Sequence, residues 1–465
     1  MKLTCKACIL TLLLPGLLHG QEVGLLRMDP DHRVSETRAA LWGGVEEGGF
    51  KPTWAASFQW SAGADAKVLR HGKTTSWTGA LSFEQMMGQH MYSSMFLEPE
   101  YYPLDVQESV QGVKSRQTAR LEAGFLSELG YEWAAGLKAS VKGGHIAKKQ
   151  DVRHSSFAVD AQVAPVVTYI MDDDMGLVSS YFVRYRMESL KAEEGAGDLF
   201  LDKGMRYGEY QALEGNGVFP VRELSHGFSE LLSSPEVSVG LDMTWKRGQG
   251  GGPDGGRFKF PGSTVSAFIQ HSILADVVDH TYRISYKRER DQLREAADIG
   301  WTSVSDRRDR ELGLKYEARF VNGAVKSVAV AVDGNEWQER FLVSRPTIDE
   351  TLRYDATATL SARLSFGDVD LDLNALAGRG WWKDPGLAVQ WDIEPYPVRQ
   401  TEEWFRRMEY LMKPRVGVGG TLTVRIPGVK GLFVQAEGSW CRAFQVTHLG
   451  GKNRETGLLR IGYDF

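Results

Sequence analysis

The chain has 465 residues, among them 51 glycines, 13 tryptophans, 16 tyrosines and 20 phenylalanines, but only 3 cysteines. Glycine at about 11% exceeds the usual share of roughly 7%, while the charged fraction of 25% is ordinary; this excludes a disulfide-stapled miniprotein, a disordered polyampholyte and a coiled coil. A formal net charge of −5 argues against nucleic acid as a partner, since such partners select a basic footprint.

Residues 1–20 carry the marks of an export signal. Lys2 and Lys6 precede an apolar run over 7–18, which is shorter than the ~20 residues a spanning helix needs, and Leu18-His19-Gly20 offers a cleavage site before Gln21. Cleavage would remove Cys5 and Cys8 and leave Cys441 as the only thiol, a pattern that suits a bacterial envelope. Residues 21–49 show no clear alternation and are expected to be a periplasmic lead-in, a lumen plug or a first strand. Residues 50–465 are assigned to one barrel.

From there the dominant period is two, the spacing of a strand with unlike faces. In chain order, Tyr131, Trp133, Leu137 and Val141 alternate with Glu132, Lys138 and Lys142. Segments 157–169 and 176–188 flank an acidic turn at Asp172-Asp173-Asp174, with Pro165 expected to mark a bulge. Val237, Val239, Leu241, Met243 and Trp245 share one face of the next clear strand. Tyr354 to Phe366 and Val369 to Ala375 make a hairpin through Gly367-Asp368, and 415–426 and 432–441 make another through 427–430. Between these hairpins, residues 402–412 are expected to form a short helix with Trp404, Phe405, Met408 and Leu411 on one side.

Strands of about 10–13 residues, longer than the globular mean of roughly 5–6, favour an all-β antiparallel transmembrane barrel over a soluble sandwich. Charges recurring on the polar face suit a wet interior, and Lys138, Arg184, Arg363, Asp370, Asp372, Arg425 and Arg460 are the lumen-lining candidates. Their mixed signs predict pairing and a narrowed lumen: either a small channel of weak ion selectivity or a lumen closed by 21–49 or by an infolded outer loop. The strand count is expected to be 14 or 16. Counting from the two chain ends disagrees over 191–310, so one strand there is missed or false. Four long outer loops, 88–116, 190–234, 333–352 and 379–412, are the expected carriers of specificity.

The chain end is the most specific feature. Leu459, Ile461, Tyr463 and Phe465 lie on one face of a last strand ending in an aromatic residue. This resembles the assembly signal read by the barrel-insertion machinery of the bacterial outer membrane. With its signal peptide and long alternating strands, the chain resembles the uncharacterised outer-membrane β-barrel families of Bacteroidota. The resemblance implies the outer membrane of a Gram-negative cell, with its lipids and insertion machinery as partners.

No catalytic motif accompanies these features. Gly248 to Gly256 lacks the Gly-Lys-Ser/Thr of a phosphate loop, and His145, His154, His226 and His448 form no recognisable nucleophile pair. No cofactor is expected. Met86, Met87, His90, Met91 and Met95 are weak candidates for a soft metal, set against ordinary packing of methionines. The expected function is a channel, a transporter or a component of a nutrient-uptake system, with a small-molecule substrate or an uptake protein as partner. The alternatives are a non-conducting structural or interaction barrel and, further off, a rim-sited hydrolase.

Overall fold

A computed structural model describes residues 35–99, 101–150, 152–172, 175–193, 199–202, 210–213, 217–251, 256–341, 350–383 and 398–465. The signal segment and residues 21–34 lie outside the described residues. The strands are β1 (Glu36–Gly48), β2 (Phe58–His71), β3 (Thr75–Ser94), β4 (Asp105–Glu128), β5 (Trp133–Lys148), β6 (Arg153–Asp172), β7 (Met175–Glu193), β8 (Leu199–Asp202), β9 (Tyr210–Leu213) and β10 (Gly217–Ser233). They continue as β11 (Val237–Gly251), β12 (Arg257–Ile273), β13 (Val278–Ala297), β14 (Gly300–Phe320), β15 (Val325–Phe341), β16 (Glu350–Phe366), β17 (Val369–Lys383), β18 (Arg415–Arg425), β19 (Leu432–Ala443) and β20 (Asn453–Asp464). One helix, α1 (Val398–Met412), precedes β18. No helix among the described residues is long and apolar enough to cross a membrane.

Eighteen of these strands form the wall, each antiparallel to the next, and β20 pairs with β1 to close it, Leu41 facing Ile461. Closure leaves no open sheet edge in the wall, the condition for a sheet placed in lipid. The count corrects the expectation of 14 or 16. Residues 36–48, inside the segment with no clear alternation, are β1. The segment 190–234 is not one outer loop, because it contains β10. That strand escapes a hydropathy pattern because its inner positions include Phe219, Val221 and Leu231, all buried, while its outer positions include Arg222 and His226.

Elsewhere the apolar face points outward. Leu41, Leu121, Ile284, Leu360 and Ile461 are 50–69% exposed, as a lipid-facing belt requires. Both ends of the wall's chain lie at the end with the short turns, where the Phe465 N–H donates to the Thr37 carbonyl at 2.7 Å. Longer connections gather at the opposite, outer end. Pro165 introduces no bulge: it faces Leu137 of β5, and the ladder to β7 skips Ala164 and Pro165 without a change of register.

Candidate lumen site

The expected outer loop over 88–116 is instead the end of β3, a connection and the start of β4, and it turns into the barrel. The ladder between β3 and β4 slips twice, around Met91 and again before Ser93. His90 and Ser93 take φ of 53° and 66°, left-handed values uncommon for such residues, and these redirect the chain away from the wall. Hairpin β8–β9 extends the infold, β8 pairing with the start of β4 from Asp105 against Asp202 to Glu108 against Leu199.

Apolar packing holds this segment. Met95, Phe96, Tyr102, Leu104 and Val106 pack with Leu190 of β7, Phe219 and Val221 of β10, Phe258 and Phe260 of β12, and Leu293 of β13. The rings of Phe96 and Phe219 meet edge to face at 6.0 Å. The lumen face of those strands is therefore core-like in its outer half, which is why their sequence loses clean alternation there.

Two buried polar networks fix its position. In the first, the fully buried Glu108 carboxylate bridges Lys114 and Lys148, each at 2.7 Å, with His154 Nδ1 at 3.7 Å. Lys114 also donates to the Ser94 carbonyl at 3.0 Å and Lys148 to the Val110 carbonyl at 2.6 Å. In the second, Arg186 of β7 donates to Glu98 at 2.7 Å and to the Tyr102 hydroxyl at 3.1 Å, with its guanidinium 3.7 Å from the Tyr101 ring centre. Glu188 accepts the Leu97 N–H and the Ser156 hydroxyl, each at 2.6 Å. The Tyr101 hydroxyl donates to Glu223 at 2.8 Å. Burial, and then the Glu223 charge, push the Tyr101 phenol well above its usual range, so it stays a neutral donor.

A second body sits at the mouth. The carboxylate of Glu409 on α1 accepts successive backbone N–H groups from the β19–β20 connection: Thr447 at 2.8 Å, His448 at 2.6 Å and Leu449 at 3.0 Å. Burial would raise its pKa, but these three donors and then Lys413 outweigh it and hold the acid below the usual value of 4.5. Phe405 stacks on His448 at 4.6 Å, and Arg406 donates to the Tyr92 hydroxyl at 3.1 Å, tying α1 to the inturned end of β3. At Gly380 of β17 an added Cβ would lie 2.7 Å from the Leu411 carbonyl oxygen, so the close approach of α1 to that strand needs glycine. The helix expected over 402–412 is present, four residues longer at its start. The side chain of Trp404 lies outside the described residues.

The seven lumen candidates do not form one site. Arg184 pairs with Asp160, Nε to Oδ1 at 2.7 Å, beside the Arg186 network. Arg363 pairs with Asp372 at 2.6 Å and Arg425 with Asp370 at 2.7 Å, a ladder across β16, β17 and β18. Arg460 donates to Gln435 at 3.2 Å and lies 3.8 Å from Asp65, while Lys138 is on the inner face of β5. The residues that hold the infold, Glu98, Glu108, Lys114, Lys148, Arg186 and Glu188, are not in that set. Arg184 and Arg186 share a strand face, and that spacing was the one available signal.

The methionine cluster divides. Met86 and Met91 pack with Ala56, Met95 joins the infold core, Met87 points outward at 38% exposure, and His90 Nδ1 is 2.8 Å from the Ser57 hydroxyl. The four histidines named for a hydrolase stand apart: His154 is buried by Glu108, His226 stacks on Trp245 at 5.6 Å on the outer face, His448 stacks on Phe405, and His145 lies on the outer face of β5. Among the described residues no group of three His, Cys, Asp or Glu could hold a metal ion. Leu459, Ile461, Tyr463 and Phe465 all face outward, the last two rings 4.7 Å apart.

No protein family matches the sequence, and no curated protein is similar to it. Similar solved structures include CdiB from Acinetobacter baumannii, 8% identical with a TM-score of 0.39 over 93% of this chain and 60% of that one. The ferric-catecholate import receptor Fiu from E. coli K12 is 9% identical, with a TM-score of 0.45 over 93% of this chain and 82% of that chain. OccK5 (OpdH) from Pseudomonas aeruginosa is 10% identical, with a TM-score of 0.36 over 93% and 98% of the two chains. The chain thus spans 60% of the length of CdiB.

Proposed function

We propose that this chain is an outer-membrane barrel that admits a small solute through a lumen gated by its own infolded segment. The apolar belt and the outward-facing terminal strand support the membrane placement, with Leu459, Ile461, Tyr463 and Phe465 as the signal for the insertion machinery. An 18-strand wall encloses more space than its own side chains fill. The observation that carries the gate is Glu108, buried inside the lumen between two lysines. Burying three charges costs more than apolar packing of equal volume, yet it fixes one position sharply.

Planar-bilayer conductance tests this reading. The intact protein is expected to pass little current, and a variant with residues 95–104 replaced by a short Gly-Ser turn is expected to pass several-fold more. Silence from both proteins, each shown to be folded by heat-modifiable migration, would reject the channel in favour of a structural or interaction barrel.

A further inference from the structure

Outward positions along each strand hold apolar or aromatic residues for roughly the ten residues that cross a bilayer. On β13 these are Tyr282, Ile284 and Tyr286, and on β14 they are Tyr316, Leu314 and Leu312. The next outward positions toward the long-loop end are Arg288 and Arg290 on β13, facing Arg310 and Arg308 on β14. Four guanidinium groups therefore meet on adjacent strands directly above the belt. Two carboxylates share that face. Asp306 takes Arg290 at 2.8 and 3.0 Å and Arg308 at 3.1 Å, and Glu336 takes Arg310 at 3.3 Å. Arg288 is exposed and has no ion pair among the described residues.

The neighbouring strands repeat the step from apolar to cationic. Arg222 follows Leu224 on β10, Arg247 follows Trp245 on β11, and Lys259 lies above Val265 and Ala267 on β12, all three cations exposed. The opposite wall differs. At the corresponding outward positions β3 and β4 carry Gln85, Gln89, Ser115 and Gln117, and Gln117 donates to Gln85 at 2.6 Å.

We infer that the outer faces of β10–β14 form a docking surface for a phosphorylated glycolipid of the outer leaflet. Its acyl chains would lie along the belt and its phosphates would meet Arg288, Arg290, Arg308 and Arg310. Charge complementarity and continuity with the belt select this occupant. A soluble anion would need no apolar belt beneath the arginines, and a protein partner would need no apolar belt continuous with the lipid-facing wall. Asp306 and Glu336 orient the guanidinium forks and leave N–H groups free for phosphate oxygens. Each cation beside an anionic membrane surface strengthens binding roughly fivefold. The inference rests on the outer-membrane placement but not on conduction through the lumen.

The test is native mass spectrometry of the full-length barrel in detergent, titrated with bis-phosphorylated lipid A, with dephosphorylated lipid A, with phosphatidylglycerol and with inorganic phosphate. Bis-phosphorylated lipid A is expected to bind best. The variant carrying Arg288→Gln, Arg290→Gln, Arg308→Gln and Arg310→Gln should lose on the order of several hundredfold in that affinity. The matching quadruple Arg→Lys variant should keep most of it, and both should show heat-modifiable migration. Equal binding of the dephosphorylated lipid, equal binding of phosphatidylglycerol, displacement by millimolar phosphate alone, or unchanged binding by the glutamine variant would each overturn the inference. The readout needs no current, so its failure and a silent bilayer are separable results.

Discussion

Strands β18, β19 and β20 run 11, 12 and 12 residues, while β4, β13 and β14 run 24, 20 and 21. The short strands do little more than cross the bilayer, and the tall ones continue well beyond it. Their lumen charges behave differently in consequence. Arg363 and Asp372, near the short-turn end, have side chains 56% and 42% exposed, whereas Glu108 and Lys148 are both at 0%. A pair in a wet lumen gains little from its partner, because water screens it. A pair with no exposed side-chain surface has no alternative solvation, so each member depends on the other. The same residue types thus act as a solvated lining on one side and as a latch on the other.

The largest effect expected from breaking this contrast is at the latch. Glu108→Ala should cost about 3–5 kcal/mol by stranding two buried lysines, and Glu108→Gln less. Denaturant unfolding in micelles would measure it, and protease cleavage within 91–110 should appear in the Ala variant. A cost under about 1 kcal/mol would show that apolar packing alone holds the segment.

A smaller effect tests the belt that both walls share. Leu360→Arg should cost about 2–4 kcal/mol at mid-membrane, and Thr359→Arg on the lumen side much less. Equal costs would mean that the lumen of the short wall is packed as tightly as a core.

The tie between α1 and the β19–β20 connection should respond to pH. Glu409 is held below its ordinary 4.5, so its stabilisation is fully present above that value and fades only as the pH falls through the lowered one. The amide chemical shifts of Thr447, His448 and Leu449 should be flat from pH 7 to 5 and change below, and Glu409→Gln should remove the step. The smallest effect is expected at the wet ladder: Arg363→Gln should change stability by no more than about 1 kcal/mol, and by less still in high salt.

Much of the barrel was legible because lipid outside and water inside impose opposite preferences on alternate residues. That held for β16 to β20, where Leu360, Val418 and Ile461 face outward beside polar neighbours. It failed at β10, where the infold packs on Phe219 and Val221 of the inner face and Arg222 and His226 interrupt the outer one. The 14-or-16 count followed from that failure together with an unassigned β1. Pairing of Arg184, Arg363 and Arg425 with carboxylates could be anticipated from mixed signs on one face. The partners of Glu108 could not, since Lys114 meets it only where the start of β4 itself leaves the wall and Lys148 lies 40 residues away on β5, whose register sequence does not state.

Sequence by itself determined the period of two, the outward face of most strands, the helix before β18 and the exposed aromatic end, because each depends on neighbours two to four residues apart. Only the tertiary structure decided that 95–106 lies inside the barrel, that α1 is tied to the β19–β20 connection through Glu409, and that Arg288 and Arg290 face Arg310 and Arg308 across β13 and β14. Those outcomes depend on wall curvature, strand register and stagger, which bring residues far apart in the chain together. Local patterning carries no record of that register.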